Sequence, residues 1–536
     1  MQATVQTWNP AIESAGKWYA RCMPSLIDLV FLLPALFLFG RLSGTKILFT
    51  DGDTGWHIRT GEWILSHRAI PTQDFFSFTR PGHPWFAWEW GWDLLFGAIH
   101  KFWGLEGVAF VNVLILGIFA VLLYKLALRV SANELASFFV TTIAICGSSL
   151  HWLARPHLLS WLFFILFLHL IRDLQEGRRL PLYLMPVLAA IWANVHPSFF
   201  LSLLLLLLTA WEEALQLFID SGSWAAIYKK CRPFLWAMAT CSFATLLNPY
   251  SWRLHKHILA VLSPELVNAI QEYQSVNFHN SPAGFFECML LLAAAAVFWS
   301  LQAKVANSTI SVLFWAHVAL FSVRNIPLFL IVAAPLVARM LDQLVTKVRI
   351  PRLRPLCTTI SEISQDLHSL ETRARTYALS VLGMLALACL FAFNAPGFEG
   401  QFNPYAFPST AIPVVAASSA RRIFASDQWG GYLVYRFYPE KRVFVDGRAD
   451  IFGSEISSLA LGIQNARYDW KRQLDRFAVD MVIVKPDAPL ASALKVSSDW
   501  TILFDDGKAI VFQAKLSRMQ KTDLRTDRRS WQPGVL

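Results

Sequence analysis

The composition of the chain places it in a lipid bilayer. Its 536 residues are 55% hydrophobic and 16% charged, with a formal net charge of +10, whereas an average soluble chain carries about 25% charged residues. The 22 Trp and 41 Phe residues are typical of helices that face lipid and end in aromatic residues. The basic residues lie mainly in short segments between apolar runs, so no nucleic acid partner is expected. The seven Cys residues have no metal-ligand spacing.

Apolar runs long enough to cross about 30 Å of hydrocarbon recur along residues 1–394. The first run is followed by no cleavage site, so we predict that it is retained as a span. The runs together predict about eleven transmembrane helices, at residues 25–43, 105–129, 134–151, 157–172, 181–196, 198–217, 233–248, 284–301, 307–323, 325–341 and 376–394.

The distribution of Lys and Arg predicts the orientation of these spans. Threading eleven spans brings the basic segments to one side, which the positive-inside rule assigns to the cytoplasm. These segments contain Lys17 and Arg21; Lys125 and Arg129; Arg172, Arg178 and Arg179; Lys229, Lys230 and Arg232; Lys304; and Lys347, Arg349, Arg352 and Arg354. An odd number of spans then places the C-terminal part outside the cytoplasm, and we predict a multi-pass protein of a plasma membrane.

Two polar regions interrupt the series of apolar segments in the membrane domain. The first outer loop, residues 42–104, contains two amphipathic segments that we expect to lie along the membrane surface. Residues 351–376 have a helical period and many charges, which predicts a cytoplasmic surface helix.

The C-terminal part alternates between strand and helix patterns. Residues 395–516 predict a small extracytoplasmic α/β domain that ends in a hairpin around Asp506 and Gly507. The last stretch, 517–536, is rich in charged residues and predicts a flexible basic tail.

Polar residues gather at the predicted outer ends of the spans. Polar groups near membrane depth are costly and usually mark a functional cavity, so we predict one outward-facing site built from several loops. Its candidate residues are Asp51, Asp53, His57, Arg59, Arg155, His157, Asn194, His196, Asn248, Tyr250, Glu272 and Arg324.

The acidic pair Asp51 and Asp53 is the candidate for catalysis. Two carboxylates around one flexible residue suit a general base, or a hard divalent cation such as Mg²⁺ or Mn²⁺ held through oxygen ligands. A solvated turn is the alternative, because the Asp-Gly pair favours turns in many contexts. The adjacent His57 is either a substrate ligand or a packed interfacial residue.

The remaining candidates suit a phosphate or a sugar. Arg155 and Arg324 are forked, permanently charged donors that fit a lipid-linked phosphate, with ordinary lipid headgroup contacts as the alternative. Asn194, His196 and Asn248 could hydrogen-bond a sugar or phosphate, or cap the helices that end beside them. The outer-loop Trp residues fit an interfacial belt better than a sugar platform.

Several of these segments resemble the C-type glycosyltransferases, the GT-C superfamily. The similarity to a bacterial branch of that superfamily is carried by the strings DTGWHIRTGEWIL, IPTQDFFSFTRPGHPW, EWGWD, ARPHLLSWLF, WANVHPSFF, LLNPYS and WGGYLVYRFYPEKRVFVDGRADIF. The resemblance implies a polytopic enzyme that takes a sugar from a polyprenyl-phosphate carrier. It also implies that Asp53 or Asp51 deprotonates the acceptor hydroxyl for an inverting displacement, while Arg155 and Arg324 hold the departing phosphate.

The sequence therefore predicts a glycosyltransferase of the bacterial inner membrane. Its partners would be a polyprenyl-phosphate-linked sugar, membrane lipids, and a lipid, glycan or protein acceptor. A transporter or flippase for a lipid-linked substrate and a non-enzymatic assembly protein are the alternatives. In the predicted extracytoplasmic α/β domain of residues 395–516, called the outer domain below, Asp446, Arg448 and Asp450 either bind the acceptor or form a structural turn held by an Asp/Arg pair.

Overall fold

The computed structural model describes residues 23–261, 271–279, 282–305, 308–347, 351–371 and 377–515. The predicted basic tail, together with Lys17, Arg21 and Arg349 of the predicted cytoplasmic segments, lies outside these ranges.

The membrane part is a bundle of helices. Each predicted span coincides with a helix in the described residues, and six helices are long and apolar enough to cross a membrane, with four shorter apolar helices beside them. The expected polytopic α-helical class is therefore confirmed. The helices occupy Leu26–Gly40, Trp90–Ser131, Glu134–Ser148, His157–Gln175, Pro181–Ala193, Leu201–Ser221, Trp224–Ala244, Ala283–Gln302, Thr309–Phe321, Ile326–Thr346 and Ala378–Ala392.

Local capping explains where several of these helices begin and end. Ser25 and Asp28 form a reciprocal capping box that begins the first span. The Asn133 side chain accepts a hydrogen bond from the backbone N–H of Ala136 and begins the third. Gly222 ends the helix Leu201–Ser221 in the left-handed conformation that glycine adopts readily.

The helix Trp90–Ser131 is broken near its first third. Trp103 and Gly104 leave helical geometry, with φ of +63° at Gly104. Residues before the break belong to the first outer loop, and the break lies at the predicted start of the second span.

The first outer loop is packed within the protein. Its main helix, Asp53–His67, has most of its side chains buried, and it contacts both the start of Trp90–Ser131 and the helix Asp427–Phe437 of the outer domain. The contact with Trp90–Ser131 is close, since a Cβ on Gly61 would lie 1.8 Å from the carbonyl oxygen of Asp93. The apolar face of this amphipathic helix is therefore covered by protein.

The outer domain contains the predicted small α/β fold. Its five described strands are β1 (Arg422–Phe424), β2 (Arg442–Val443), β3 (Met481–Val484), β4 (Trp500–Asp505) and β5 (Ile510–Ala514). They are ordered β2-β1-β3-β5-β4, with parallel pairing of β1 to its two neighbours and antiparallel pairing of β5 to β3 and β4. The expected hairpin is confirmed. The described helices are Ile412–Ala417, Asp427–Phe437, Ala449–Gln464, Trp470–Arg476 and Pro489–Lys495.

The first outer loop extends the edge of this sheet. Ser77 forms a parallel bridge with Val443 of the edge strand β2. The backbone N–H of Phe78 donates to the Val443 carbonyl oxygen at 3.1 Å, and Thr79 Oγ1 donates to the Phe444 carbonyl oxygen at 2.6 Å. The outer domain is thereby docked on the membrane part through main-chain hydrogen bonds.

The predicted cytoplasmic helix is present as Arg354–Glu371. It docks on the start of the span Glu134–Ser148, where Ser364 Oγ accepts a hydrogen bond from the Glu134 backbone N–H at 3.1 Å. His368, which also belongs to the helix Arg354–Glu371, lies 2.8 Å from the Glu134 carboxylate.

The close helix contact at Gly61 provides a test of the packing. Gly61→Ala places a methyl group against backbone, so we expect a stability loss of at least about 1–3 kcal/mol, as for other overpacked cores. Gly284→Ala is the matched control, because no atom lies within 4 Å of its Cβ position. Fluorescence-detected size-exclusion chromatography after heating in detergent measures both. Equal melting temperatures for the two variants would contradict the packing.

Candidate active site

Three carboxyl groups converge on one guanidinium at the predicted outer end of the bundle. Arg155 Nη1 donates to Asp51 Oδ2 at 2.8 Å and to Glu272 Oε1 at 2.5 Å, and Arg155 Nη2 lies 3.0 Å from Asp53 Oδ2. Charge-assisted contacts of this kind are short and strong. The sequence analysis selected all four residues, and the structure places them together.

The start of the helix Asp53–His67 positions the acidic pair. Asp51 Oδ1 accepts a hydrogen bond from the Asp53 backbone N–H at 2.8 Å, which closes a tight turn at the helix N-terminus. The helix dipole favours negative charge at this end. One turn later, Trp56 Nε1 donates to Asp53 Oδ1 at 3.1 Å. Each Asp53 oxygen therefore has a defined partner.

The loop that carries Arg155 is attached to the first outer loop. The Ala154 backbone N–H donates to the Leu48 carbonyl oxygen at 2.8 Å, and Thr54 Oγ1 donates to the Ala154 carbonyl oxygen at 3.2 Å. These bonds on both sides of the acidic pair fix the distance between the guanidinium and the two carboxylates.

The outer domain covers Asp53 with a glycine. A Cβ on Gly447, in the turn after β2, would lie 1.7 Å from Asp53 Oδ1. Gly431 of the helix Asp427–Phe437 also lies against the Gly52 backbone, since its Cβ position is 2.4 Å from the Gly52 carbonyl oxygen. Glycine at these positions permits the outer domain to close on the acidic pair.

The charges in this group favour one retained proton. Burial and the negative charge of Asp51 raise the pKa of Asp53 to about 8, although Arg155 acts in the opposite direction. Burial also acts to raise the pKa of Glu272, but Arg155 and other positive groups outweigh it and hold that pKa below its usual range. Asp53 therefore keeps a proton near neutral pH.

Arg324 is a second positively charged residue of the site and lies next to Glu272. Arg324 Nη1 lies 3.6 Å from Glu272 Oε2, and its guanidinium is 5.6 Å from the ring centre of Tyr273. Arg324 Nη2 is 3.3 Å from His196 Nε2.

The site extends to residues that the sequence analysis did not select, Glu89 and Asp93. His57 Nδ1 is 2.6 Å from Asp93 Oδ1, and Glu89 lies between His57 and His196, at 3.7 and 3.6 Å. Burial raises the pKa of Glu89 to about 7 and lowers that of His57. Two acids four residues apart in a Trp-rich segment share one helix face, a signal that could have identified them.

The charged turn of the outer domain, which contains Asp446, Arg448 and Asp450, makes two separate sets of contacts. Arg448 is buried and bonded to Asp446 and Asp74, and its guanidinium lies 4.7 Å from the Trp85 ring centre. This matches the structural-turn alternative for Asp446 and Arg448. Asp450 makes a separate contact, since its carboxylate lies 3.3 Å from His257.

Five candidate residues have structural partners away from Arg155. Arg59 donates to the Tyr435 carbonyl oxygen, and His157 Nε2 lies 3.0 Å from the His151 carbonyl oxygen. The Asn194 and Asn248 side chains bond the ends of their own helices, which matches the capping alternative. The Tyr250 hydroxyl accepts from the Ala87 backbone N–H at 2.9 Å.

The acidic pair has suitable chemistry for Mg²⁺ or Mn²⁺, but its arrangement does not fit either ion. Oxygen ligands from Asp51, Asp53 and Glu272 are the type that these ions prefer. The Arg155 guanidinium, however, lies at the point where these oxygens converge. Within the described part of the chain, no group of three or more His, Cys, Asp or Glu side chains is placed to hold a metal ion.

Comparisons with known proteins identify the fold. No family model matches the sequence, and no curated protein matches it. The archaeal oligosaccharyltransferase AglB from Archaeoglobus fulgidus, in complex with an inhibitory peptide and a dolichol-phosphate, aligns with TM-score 0.54 and 10% identity over 94% of this chain and 75% of that chain. Its apo form aligns with TM-score 0.51 and 11% identity over 92% and 74%. The expected GT-C fold is therefore confirmed.

Removing the shared guanidinium tests the charge balance of the site. Arg155→Met leaves buried carboxylates without their main partner, so we expect a stability loss of about 3–5 kcal/mol. The loss should shrink as the pH falls, because protonation removes the uncompensated negative charge. Arg178→Met, at an ion pair whose Arg side chain is 63% exposed, is the control and should cost less than about 1 kcal/mol.

Thermal unfolding in detergent over a range of pH measures both variants. A loss for Arg155→Met that does not depend on pH would contradict this account of the cluster.

Proposed function

We propose that this chain is an integral membrane glycosyltransferase that moves a sugar from a polyprenyl-phosphate carrier to an acceptor on the extracytoplasmic side of a bacterial inner membrane. The observation that carries the proposal is the convergence of Asp51, Asp53 and Glu272 on Arg155, beneath the outer domain. It combines an enclosed carboxyl group of raised pKa with permanently charged phosphate-binding groups. That pair of functions is what sugar transfer from a phosphate carrier requires.

Asp53 acts as the general base in the proposed reaction. Its ionised carboxylate takes the proton of the acceptor hydroxyl as the hydroxyl oxygen forms a bond to the anomeric carbon of the sugar. The bond between that carbon and the phosphate oxygen breaks, and the polyprenyl phosphate leaves with the electron pair. A single displacement of this kind inverts the anomeric centre.

Arg324 and Arg155 hold the departing phosphate. Arg324 is the more open of the two, with 23% of its side chain exposed against 15% for Arg155. The buried Arg155 Nε has no hydrogen-bond acceptor among the described residues, so a donor is available for a substrate oxygen. Guanidinium groups suit phosphate because their donors match its oxygens two at a time.

The fold supports a lipid-linked donor. AglB, which shares the fold, was solved with a dolichol-phosphate and with peptides, one of them an acceptor peptide. By analogy we propose a polyprenyl-phosphate donor here, and a lipid, glycan or protein hydroxyl as acceptor. The proposed reaction uses no Mg²⁺ or Mn²⁺, since Arg155 supplies the positive charge at the acidic pair.

Replacement of the proposed base tests the function. Cells that lack the chain are complemented with wild type, Asp53→Asn or Asp487→Asn, and their lipid-linked and surface glycans are compared by mass spectrometry. We expect Asp53→Asn to lose at least about a hundredfold in transfer, because general-base catalysis contributes about 10²–10⁴-fold. Asp487→Asn, an exposed acid of the outer domain, is the control and should restore the missing sugar.

Each variant must reach the membrane in wild-type amounts for this comparison. Glycans that are fully restored by an Asp51→Asn, Asp53→Asn double variant would end the proposal.

The pH dependence of the rate provides a second test. The base works only when ionised, so the rate should rise as the pH passes the pKa of Asp53, about 8. Asp51→Asn removes a negative charge that raises this pKa, so the rise should move to lower pH. The assay uses purified protein and the lipid-linked sugar identified by the glycan comparison. A rise at the same pH in both proteins would show that Asp53 is not the titrating group.

A further inference from the structure

A charged cavity lies at the end of the bundle opposite to Arg155. Its volume is about 340 Å³. Arg172, on its wall, is about 22 Å along the helix His157–Gln175 from His157, at about 1.5 Å per residue. The cavity is lined by Arg129, Val130, Arg172, Gln175, Glu176, Glu213, Lys230 and Arg339. None of these residues belongs to the site described above, and the orientation analysis predicts that this end is cytoplasmic.

Two of the four basic groups on the wall are neutralised within the protein. Arg129 Nη2 lies 2.6 Å from both Asp173 Oδ1 and Glu176 Oε2. Lys230 Nζ is 3.6 Å from Glu213 Oε2. The two carboxylates that line the cavity, Glu176 and Glu213, are therefore already engaged.

The other two, Arg172 and Arg339, lack such a partner. Among the described residues, neither side chain has an ion pair or a hydrogen bond. Both guanidinium groups border the same cavity, where Arg339 and Arg129 repel Arg172, and the nearby Glu176 and Glu213 carboxylates are paired with other basic groups. An anion in the cavity would remove this repulsion and engage both groups.

Arg172 and Arg339 both belong to helices that are long and apolar enough to span a membrane. Arg172 is among the residues from which the orientation is predicted, whereas Arg339 is not, so the orientation alone does not account for the pair. Ionisable residues within spans are costly, and they usually serve a binding site or a pathway.

We propose that this cavity binds a phosphate group through Arg172 and Arg339. The guanidinium fork matches phosphate oxygens, and the cavity volume accommodates a phosphate with its immediate substituents. The phosphate belongs either to the headgroup of an anionic membrane lipid or to a free phosphate ion. The site is separate from the proposed transfer reaction and stands on its own if that reaction is disproved.

Binding to the purified full-length protein tests the site. Native mass spectrometry measures retention of phosphatidylglycerol, with phosphatidylcholine, a zwitterion without net charge, as the comparison, and calorimetry measures inorganic phosphate. We expect the Arg172→Gln, Arg339→Gln double variant to bind at least about tenfold more weakly, because it removes both guanidinium donors of charge-assisted hydrogen bonds. The matched control is Arg179→Gln with Lys347→Gln, two exposed charges at the same end, which should bind as wild type does.

The two sources of phosphate give different results. Phosphatidylglycerol that binds more tightly than inorganic phosphate, with both lost in the double variant, identifies a lipid headgroup. Equal binding of both, lost in the double variant, identifies free phosphate. Should the double variant fail to fold, Arg172→Lys keeps the charge and removes the fork, and we expect weaker binding with an unchanged melting temperature. Equal binding by wild type and the folded variants overturns the proposal.

Discussion

The end of the bundle that meets the C-terminal domain depends on the guanidinium of Arg155. A buried cation without partners, or buried carboxylates without a cation, would each cost several kcal/mol. The segments that carry Asp51, Asp53 and Glu272 must therefore meet the loop before the helix His157–Gln175. These segments are far apart in the sequence, and only closure of the whole bundle brings them together. The ion cluster and the helix packing thus stabilise each other.

The outer domain completes this arrangement without supplying a charge to Arg155. Gly447 lies against Asp53 Oδ1 and Gly431 lies against Gly52, so backbone excludes solvent where a side chain could not fit. Burial is the largest contribution to the raised pKa of Asp53. The protonation behaviour of a residue in the first outer loop is therefore set by a domain at the other end of the chain.

The sequence predicted the spans and the residues around Arg155 because two physical signals are strong there: long apolar runs, and polar groups at span ends on one side. At Asn194, Asn248 and Tyr250 the structure shows capping and backbone contacts, which use the same residue types as sugar binding, so the pattern alone does not separate the two. The helix Asp427–Phe437 was not predicted because paired glycines and aromatic residues have low helix propensity, and its packing on the first outer loop, which the sequence does not reveal, stabilises it. Glu89 was missed because its Trp neighbours resemble an interfacial belt.

The exposure of the site groups suggests an order for the proposed reaction. Asp53 has 10% of its side chain exposed, Glu272 has 21% and Arg324 has 23%, so a phosphate meets the guanidinium groups before any hydroxyl reaches the base. Both Asp53 oxygens are occupied, one by Trp56 and the other by Arg155. A phosphate that displaced Asp53 from Arg155 would raise the pKa of Asp53 further, because a positive charge would move away from the carboxyl group. The base works only when ionised, so the proposed reaction favours a donor that binds Arg324 and the free Nε of Arg155 and leaves the contact between Arg155 Nη2 and Asp53 Oδ2 in place.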